Sequence, residues 1–532
     1  MTVFLLLVGV ILMACILMQR LTAKLPIPAL LMFLILGMVF GVDGLFRIPF
    51  DNYEITEKIC SICLVLIMFY GGFGTSFKAA KPVLLQSALL ATLGVVLTCG
   101  LTGIFVHFVF RLTWLESLLI GAVIASTDAA SVFSILKSQK LNLKDNTASL
   151  LEVESGSNDP MSYMLTTVLC TLLGGGSVSI PLMLLQQLAF GVVFGLGMGK
   201  LAAYLLGHEK ISLGEGRTVW IFAVMLLAYA APVLLGGNGY LSVYLCGMLL
   251  GNAKIPGKRQ LIHFYDSFTS ISQIMIFFLL GLLVTPKELP QVFLPALLIT
   301  VFMTFVARPI SVAGILAPTG TTKGQVALVS WAGLRGAASI VFAIMAVLSG
   351  VKLRYNLFNL VYCVVFLSII FQGSLLPWLS RKLKMIDNTL DVYKTFNDYE
   401  EDNAVSFVKI TAAESHPWIG EALSRISLPK EFLVTMILRG QEHIVPNGST
   451  VICEGDTLVL AAQAFNDQDH LAMQEIAVNK NHHWCGKQVK ELSLRKGKLI
   501  ILIQRGRESV IPKGDDVIRA GDTLILVKTD IP

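Results

Sequence analysis

"LLEVESGSNDPMSYMLT", residues 150–166, carries three carboxylates, Glu152, Glu154 and Asp159, between two long apolar runs. Whether those acids stand in water or inside a bilayer decides the fold. Of 532 residues, 55% are hydrophobic and only 14% charged, with a mean hydropathy of +0.73. A soluble globular chain carries roughly 25% charged residues. A transmembrane helix needs about 20 mostly apolar residues, and residues 1–385 supply one such run after another. Beyond Asp387 charge becomes frequent and no run approaches that length. The chain reads as a polytopic α-helical membrane protein with a soluble α+β tail.

Working outward, the apolar runs predict thirteen spans: 3–18, 27–46, 59–75, 83–110, 114–136, 148–173, 181–206, 218–235, 239–252, 266–284, 292–316, 324–348 and 357–379. The first lacks a basic leader and a small-residue cleavage site, so it is expected to be retained. Loop charge tests the count. Odd-numbered loops and the start of the tail hold sixteen Lys and Arg residues, among them Lys81, Lys144, Lys258 and Arg381; the even-numbered loops hold six. By the positive-inside rule this places the N-terminus outside and the tail in the cytoplasm of a cell membrane. The basic pI of about 8.7 therefore follows from topology, and no nucleic-acid partner is implied.

The tail repeats itself. Residues 432–462 align without gaps to 498–528, with fourteen of 31 positions identical, and "WIG" at 418 matches "WCG" at 484 with the same offset of 66. The expected organisation is a membrane domain over 1–385, a linker over 386–403, and two small modules over 404–466 and 467–532. Neither module has a Gly-rich nucleotide loop after a strand. The series Gly191, Gly195 and Gly199 lies inside a span at a four-residue spacing, which is helix-packing chemistry. The nine cysteines are scattered and imply no disulfide framework; Cys60 and Cys63 read as small buried hydrophobes. "HHWC" at 482–485 is too local to build a tetrahedral metal site.

Ionisable residues at depth within spans are few: Asp128, Glu152, Glu154, Asp159, Arg308 and Arg335, with Lys200 near a cytoplasmic end and His107 near the end of the long fourth run. Each charge at a helix centre costs about 2.5–3.5 kcal/mol on insertion scales, so partners or a wet cavity are required. Glu154 with Asn158, and Ser155 with Asp159, are i,i+4 pairs in two adjacent rows of one helix face. Glu152 points about 200° away from Glu154 and is assigned to structure or surface. Asp128 stands in "ASTDAAS" and Arg335 in "WAGLRGAAS", small-residue stretches that suit unwound helix. Two such interruptions in two halves point to an inverted-repeat transporter with its ion site at the breaks. Asp128, Glu154, Asp159, Ser155 and backbone carbonyls form a hard-cation set whose carboxylates exchange a proton for a cation.

"STDAASVFSIL", "ESGSNDP", "FVARPIS" and "WAGLRGAAS" together resemble the monovalent cation:proton antiporters of the sodium/proton exchanger superfamily, nearest the NhaP-type potassium/proton branch. The tail units look like C-terminal modules of regulator-of-potassium-conductance proteins. The resemblance implies a homodimer with crossed fifth and twelfth helices, and no enzymatic activity. It implies that Asp159 binds the cation and the proton, that Thr127, Asp128, Glu154 and Ser155 complete the site, and that Asn158 accompanies electroneutral exchange. Arg308, interacting around Glu154 and Asn158, and Arg335, at the break of the twelfth helix, would be the compensating charges. Many relatives have proline where Ala129 stands, so unwinding here rests on small residues. The expected function is K⁺ (or Na⁺)/H⁺ antiport under control of the tail, with no cofactor beyond a regulatory nucleotide or cyclic dinucleotide on the tail modules. A Na⁺(Li⁺)/H⁺ antiporter is the nearest alternative. A tail-gated channel and an intramembrane aspartyl protease fit less well, since midplane carboxylates suit occluded binding and no GxGD stretch is present.

Overall fold

The computed structural model describes residues 9–18, 29–387 and 405–529, except 140, 177–178, 208–215, 254, 256–257 and 352 and, in the tail, 413–415, 417, 427, 429–431, 441, 464–470, 479–481, 493–497, 506–507 and 511. Most of the expected linker, from 388 on, lies outside the described residues, as do loop cations Arg20, Lys24, Lys210 and Lys254. The chain divides into two compact units, Met1–Glu401 and Asp402–Pro532.

In the first unit the described residues form thirteen apolar rods in the predicted places. They are α1 (Gly9–Met18), α2 (Ala29–Phe40), α3 (Tyr53–Gly74), α4 (Leu84–Phe110), α5, α6 (Thr147–Leu173), α7 (Ile180–Gly207), α8 (Arg217–Leu234), α9 (Gly239–Asn252), α10 (Lys258–Leu283), α11 (Pro286–Thr319), α12 and α13 (Leu357–Lys382). Helix formation follows from the apolar runs, because a bilayer leaves backbone groups only internal partners. The ends are set by polar caps. Asn52 accepts from Ile55 N–H before α3, Thr113 and Glu116 make a capping box at the start of α5, and Asn238 accepts from Leu241 N–H before α9. The glycines of α7 pack on α9 as expected: a Cβ on Gly195 would lie 2.6 Å from the Ser242 carbonyl oxygen. Cys60 and Cys63 are buried thiols.

Two rods are broken. Helix α5 consists of α5a (Trp114–Val123) and α5b (Ala129–Ser138), and α12 of α12a (Lys323–Trp331) and α12b (Ala337–Leu348). The breaks meet. Asp128 N–H donates to the Leu334 carbonyl at 2.8 Å, and Arg335 Nη1 donates to the carbonyls of Ala125 and Ser126 at 2.6 and 2.9 Å. A Cβ on Gly336 would stand 2.4 Å from the Asp128 Cβ, so only glycine permits this approach. Single π turns interrupt α4, α11 and α13 at Leu90–Gly94, Met303–Ala307 and Ile369–Gly373; nothing in the hydropathy pattern marks them.

The second unit holds two four-stranded antiparallel sheets. One runs β1 (Val405–Thr411), β4 (Thr457–Gln463), β2 (Phe432–Arg439), β3 (Glu442–Ile444); the other β5 (Leu471–Ala477), β8 (Asp522–Thr529), β6 (Lys498–Arg505), β7 (Glu508–Val510). The repeat holds in detail. Register shifts fall at Val434/Met436 and Ile500/Leu502, and bidentate pairs join Arg439 to Asp456 and Arg505 to Asp522 at 2.8 Å. Among the described tail residues, helical structure is confined to short 3-10 turns at Leu423–Arg425 and Val489–Glu491. Trp484 and Cys485 of "HHWC" pack on the core of the second module.

Candidate functional site

The crossed breaks expose backbone groups that the sequence supplies with charge of the right sign. The C-terminal end of α5a carries negative partial charge, and Arg335 meets it there through the Ala125 and Ser126 carbonyls. The N-terminal end of α5b carries the opposite sign, and the Asp128 carboxylate caps it. Asp128 Oδ2 accepts from Ser131 Oγ at 2.6 Å, while Oδ1 accepts from the amides of Ala130 and Ser131. The unwound segment is therefore held by side chains at both of its ends.

Helix α6 lies against this crossing, and its two polar rows do different things. In one row, Asp159 Oδ1 accepts from Ser126 Oγ at 2.5 Å. One turn earlier, Ser155 Oγ donates to the Thr127 carbonyl at 2.8 Å and accepts from Ala129 N–H at 2.9 Å. In the other row, Asn158 Nδ2 donates to Thr127 Oγ1 at 2.5 Å, and Glu154 Oε1 accepts from Arg308 Nη2 at 2.6 Å. Both members of that ion pair are buried. Glu154, expected both among the cation ligands and beside Arg308, has one oxygen engaged by Arg308, while its Oε2 is buried with no hydrogen-bond partner among the described residues.

A cavity of about 300 Å³ reaches the first row. Asp159, Asp128, Ser155, Thr127 and Ser126 line its inner end, while Glu154 and Asn158 are not part of its wall. Glu152, assigned from spacing to structure or surface, stands on this same wall. So does Asp266 on α10, with Thr269 and Gln273 beside it. These wall residues were missed because the helix that carries them lies far away in sequence. The lining includes the later part of α3, the first turns of α5b and the earlier part of α6 and α10, with Leu30 of α2 and the start of α12b; the ends of α2, α3, α6 and α10 on this side adjoin the odd-numbered, cationic loops.

On the opposite side of Asp159 the packing closes. Ser162 Oγ donates to the Ala122 carbonyl at 2.5 Å. Tyr163 packs edge-on against Tyr240 with ring centroids 5.0 Å apart, and Phe342 and Tyr229 complete the cluster. A cavity that reaches a buried carboxylate beside two crossed half-helices is the arrangement expected of a secondary transporter.

The fold and the site thus define a helical membrane transporter built around two discontinuous helices. The chain belongs to the sodium/hydrogen exchanger family: the model of its transmembrane domain matches residues 7–382, and the TrkA-C domain matches twice, at 407–464 and 473–529. It is 34% identical over 466 residues to the K(+)/H(+) antiporter NhaP2 of Shewanella sp. (strain MR-4), covering 86% of this chain and 81% of that one. It is also 34% identical over 461 residues to the K(+)/H(+) antiporter NhaP of Alkalimonas amylolytica, covering 86% and 80%. Among solved structures, the sodium proton antiporter MjNhaP1 from Methanocaldococcus jannaschii superposes with a TM-score of 0.62 at 24% identity, over 70% of this chain and 97% of that chain.

Proposed function

We propose that this protein exchanges a monovalent cation, potassium in preference to sodium, for a proton, and that Asp159 is the group that holds each in turn. The observation that carries the reading is the charge balance around Asp159. Arg308 is matched by Glu154 and Arg335 faces carbonyl oxygens. Asp159, at the inner end of the cavity, therefore needs a mobile positive charge. A proton or a bare cation meets that need equally, and the two exclude each other. One carboxylate taking one of either moves equal charge in both directions, which makes the exchange electroneutral.

In this reading Asp159 is the primary ligand, Ser155 and Thr127 offer further oxygens, and Asp128 adds negative field while capping α5b. Glu154, Arg308 and Asn158 position the first row, and Arg335 keeps the crossing open. The potassium preference rests on the K(+)/H(+) antiporters at 34% identity; sodium is the second reading, favoured by the Na(+)/H(+) antiporter 1 of Methanocaldococcus jannaschii at 29% identity. The cationic loops on the cavity's side support a cytoplasm-facing reading of this state, with the tail in the cytoplasm. The paired TrkA-C modules act as a cytoplasmic regulator and the natural place for a nucleotide or cyclic dinucleotide effector. The working unit is a homodimer.

The test is exchange in proteoliposomes with an acidic lumen and a trapped pH dye, challenged with K⁺, Na⁺ or Li⁺. Cation addition should raise luminal pH at a rate indifferent to a clamped membrane potential. Asp159→Asn should abolish the response while inserting normally. Wild-type exchange by that variant would remove Asp159 from its role; no cation-driven response in the wild type would remove the function.

A further inference from the structure

The broken helix α12 leaves two backbone groups to be satisfied across its gap, and both are met by one turn of α13. Ser368 Oγ accepts from the Arg335 amide at 3.1 Å and donates to Gln372 Oε1 at 2.5 Å. Gln372 Nε2 then donates to the carbonyl of Trp331, the last residue of α12a, at 3.2 Å, and the Gln372 carbonyl accepts from Trp331 Nε1 at 3.0 Å. Helix ends expose unsatisfied amides and carbonyls; here an i,i+4 pair supplies one partner to each side of the break. Ser368 and Gln372 are both buried; Ser368 immediately precedes the π turn Ile369–Gly373 and Gln372 lies within it, a local structure that tends to occur at functional sites.

The consequence reaches the ion site through a continuous series of contacts. Arg335, anchored by Ser368 at its amide, sends its guanidinium to the carbonyl of Ser126, and Ser126 Oγ donates to Asp159. Gln372, Ser368, Gly333 and both buried arginines also line one small cavity of about 10 Å³. We propose that Ser368 and Gln372 form a latch that sets the spacing of the α12 break, and are thereby positioning residues for cation and proton binding at Asp159.

The proposal rests on the exchange reading above, and its test separates the two. Wild-type, Ser368→Ala, Ser368→Thr and Gln372→Glu proteins are reconstituted after confirming a monodisperse species in detergent, and the half-saturating cation concentration is measured across pH. A buried hydrogen bond is worth about 0.5–1.5 kcal/mol net, so its loss corresponds to roughly a two- to tenfold change. Ser368→Ala should raise half-saturation by that factor and displace the pH profile, with a smaller effect on maximal rate. Ser368→Thr, which keeps the hydroxyl, should restore both. Gln372→Glu preserves shape and the acceptor for Ser368 but loses the N–H to Trp331, and should shift half-saturation in the same way. If Ser368→Ala fails to fold, Gln372→Glu decides. A folded variant with unchanged half-saturation and pH profile, or one that loses only maximal rate, overturns the latch. A wild type that does not exchange cations would instead refute the function.

Discussion

Glu154 and Asp159 lie five residues apart on one helix, yet their surroundings give them different tasks. Glu154 meets Arg308 in a buried pair, whereas Asp159 meets a serine hydroxyl and a cavity. The sequence made the set of intramembrane charges legible because charge is rare in an apolar run and costly there. Spacing alone left open which acid pairs with Arg308, since that depends on rotation of α6 against a helix about 150 residues further along; the family resemblance put Arg308 around Glu154, where the ion pair forms. Removing one partner of a buried pair leaves an unmatched charge and costs about 3–5 kcal/mol. Arg308→Met should therefore unfold in detergent at a markedly lower temperature than wild type. Adding Glu154→Leu should recover much of that loss, because the second carboxylate no longer needs a partner. Thermal unfolding followed by size-exclusion chromatography measures both; equal stability of Arg308→Met and wild type would show that the pair contributes little.

At the scale of elements, the spans were legible because a bilayer imposes one length and one polarity on every rod. The two breaks were also legible, as small polar residues or glycines around a single charge. Their crossing came from the family resemblance, and the particular contacts that join them were not legible. The contact of Gly336 with Asp128 and the π turn beneath Trp331 depend on which rods cross, and no local pattern records that. The crossing yields a sharp expectation. In Gly336→Ala the new methyl would stand 2.4–2.6 Å from the Asp128 side chain, so the Asp128 cap or the α12 break must move. Exchange should fall by more than tenfold, while Gly197→Ala, with no atom near its Cβ, should exchange like wild type. Comparable rates for the two variants would mean that the crossing tolerates separation.

At the scale of the whole molecule, the chain joins a unit whose charges are costly to a unit whose charges are routine, and the two respond differently to pH. The tail repeat was readable to the residue, because an offset of 66 carries strands, bulges and the Arg–Asp pairs together. In each module the arginine holds the aspartate's carboxyl below the usual range, chiefly through its hydrogen bonds. A carboxylate with a depressed folded-state pKa adds stability above its unfolded value, about 3.9 for Asp, and loses it as pH falls through the folded value. The pairs therefore contribute in full from neutral pH down to about 5 and fail only in stronger acid. Backbone hydrogen exchange of the intact protein can follow β4 and β8 separately. Wild-type protection should be level between pH 8 and 5 after correction for intrinsic rates. Asp456→Asn should lower protection of β4 throughout that range and leave β8 unchanged, and Asp522→Asn should do the reverse. A wild-type loss of protection at pH 6 would assign the tail's acid sensitivity to some other group, and a loss in both strands from one substitution would show that the modules unfold together.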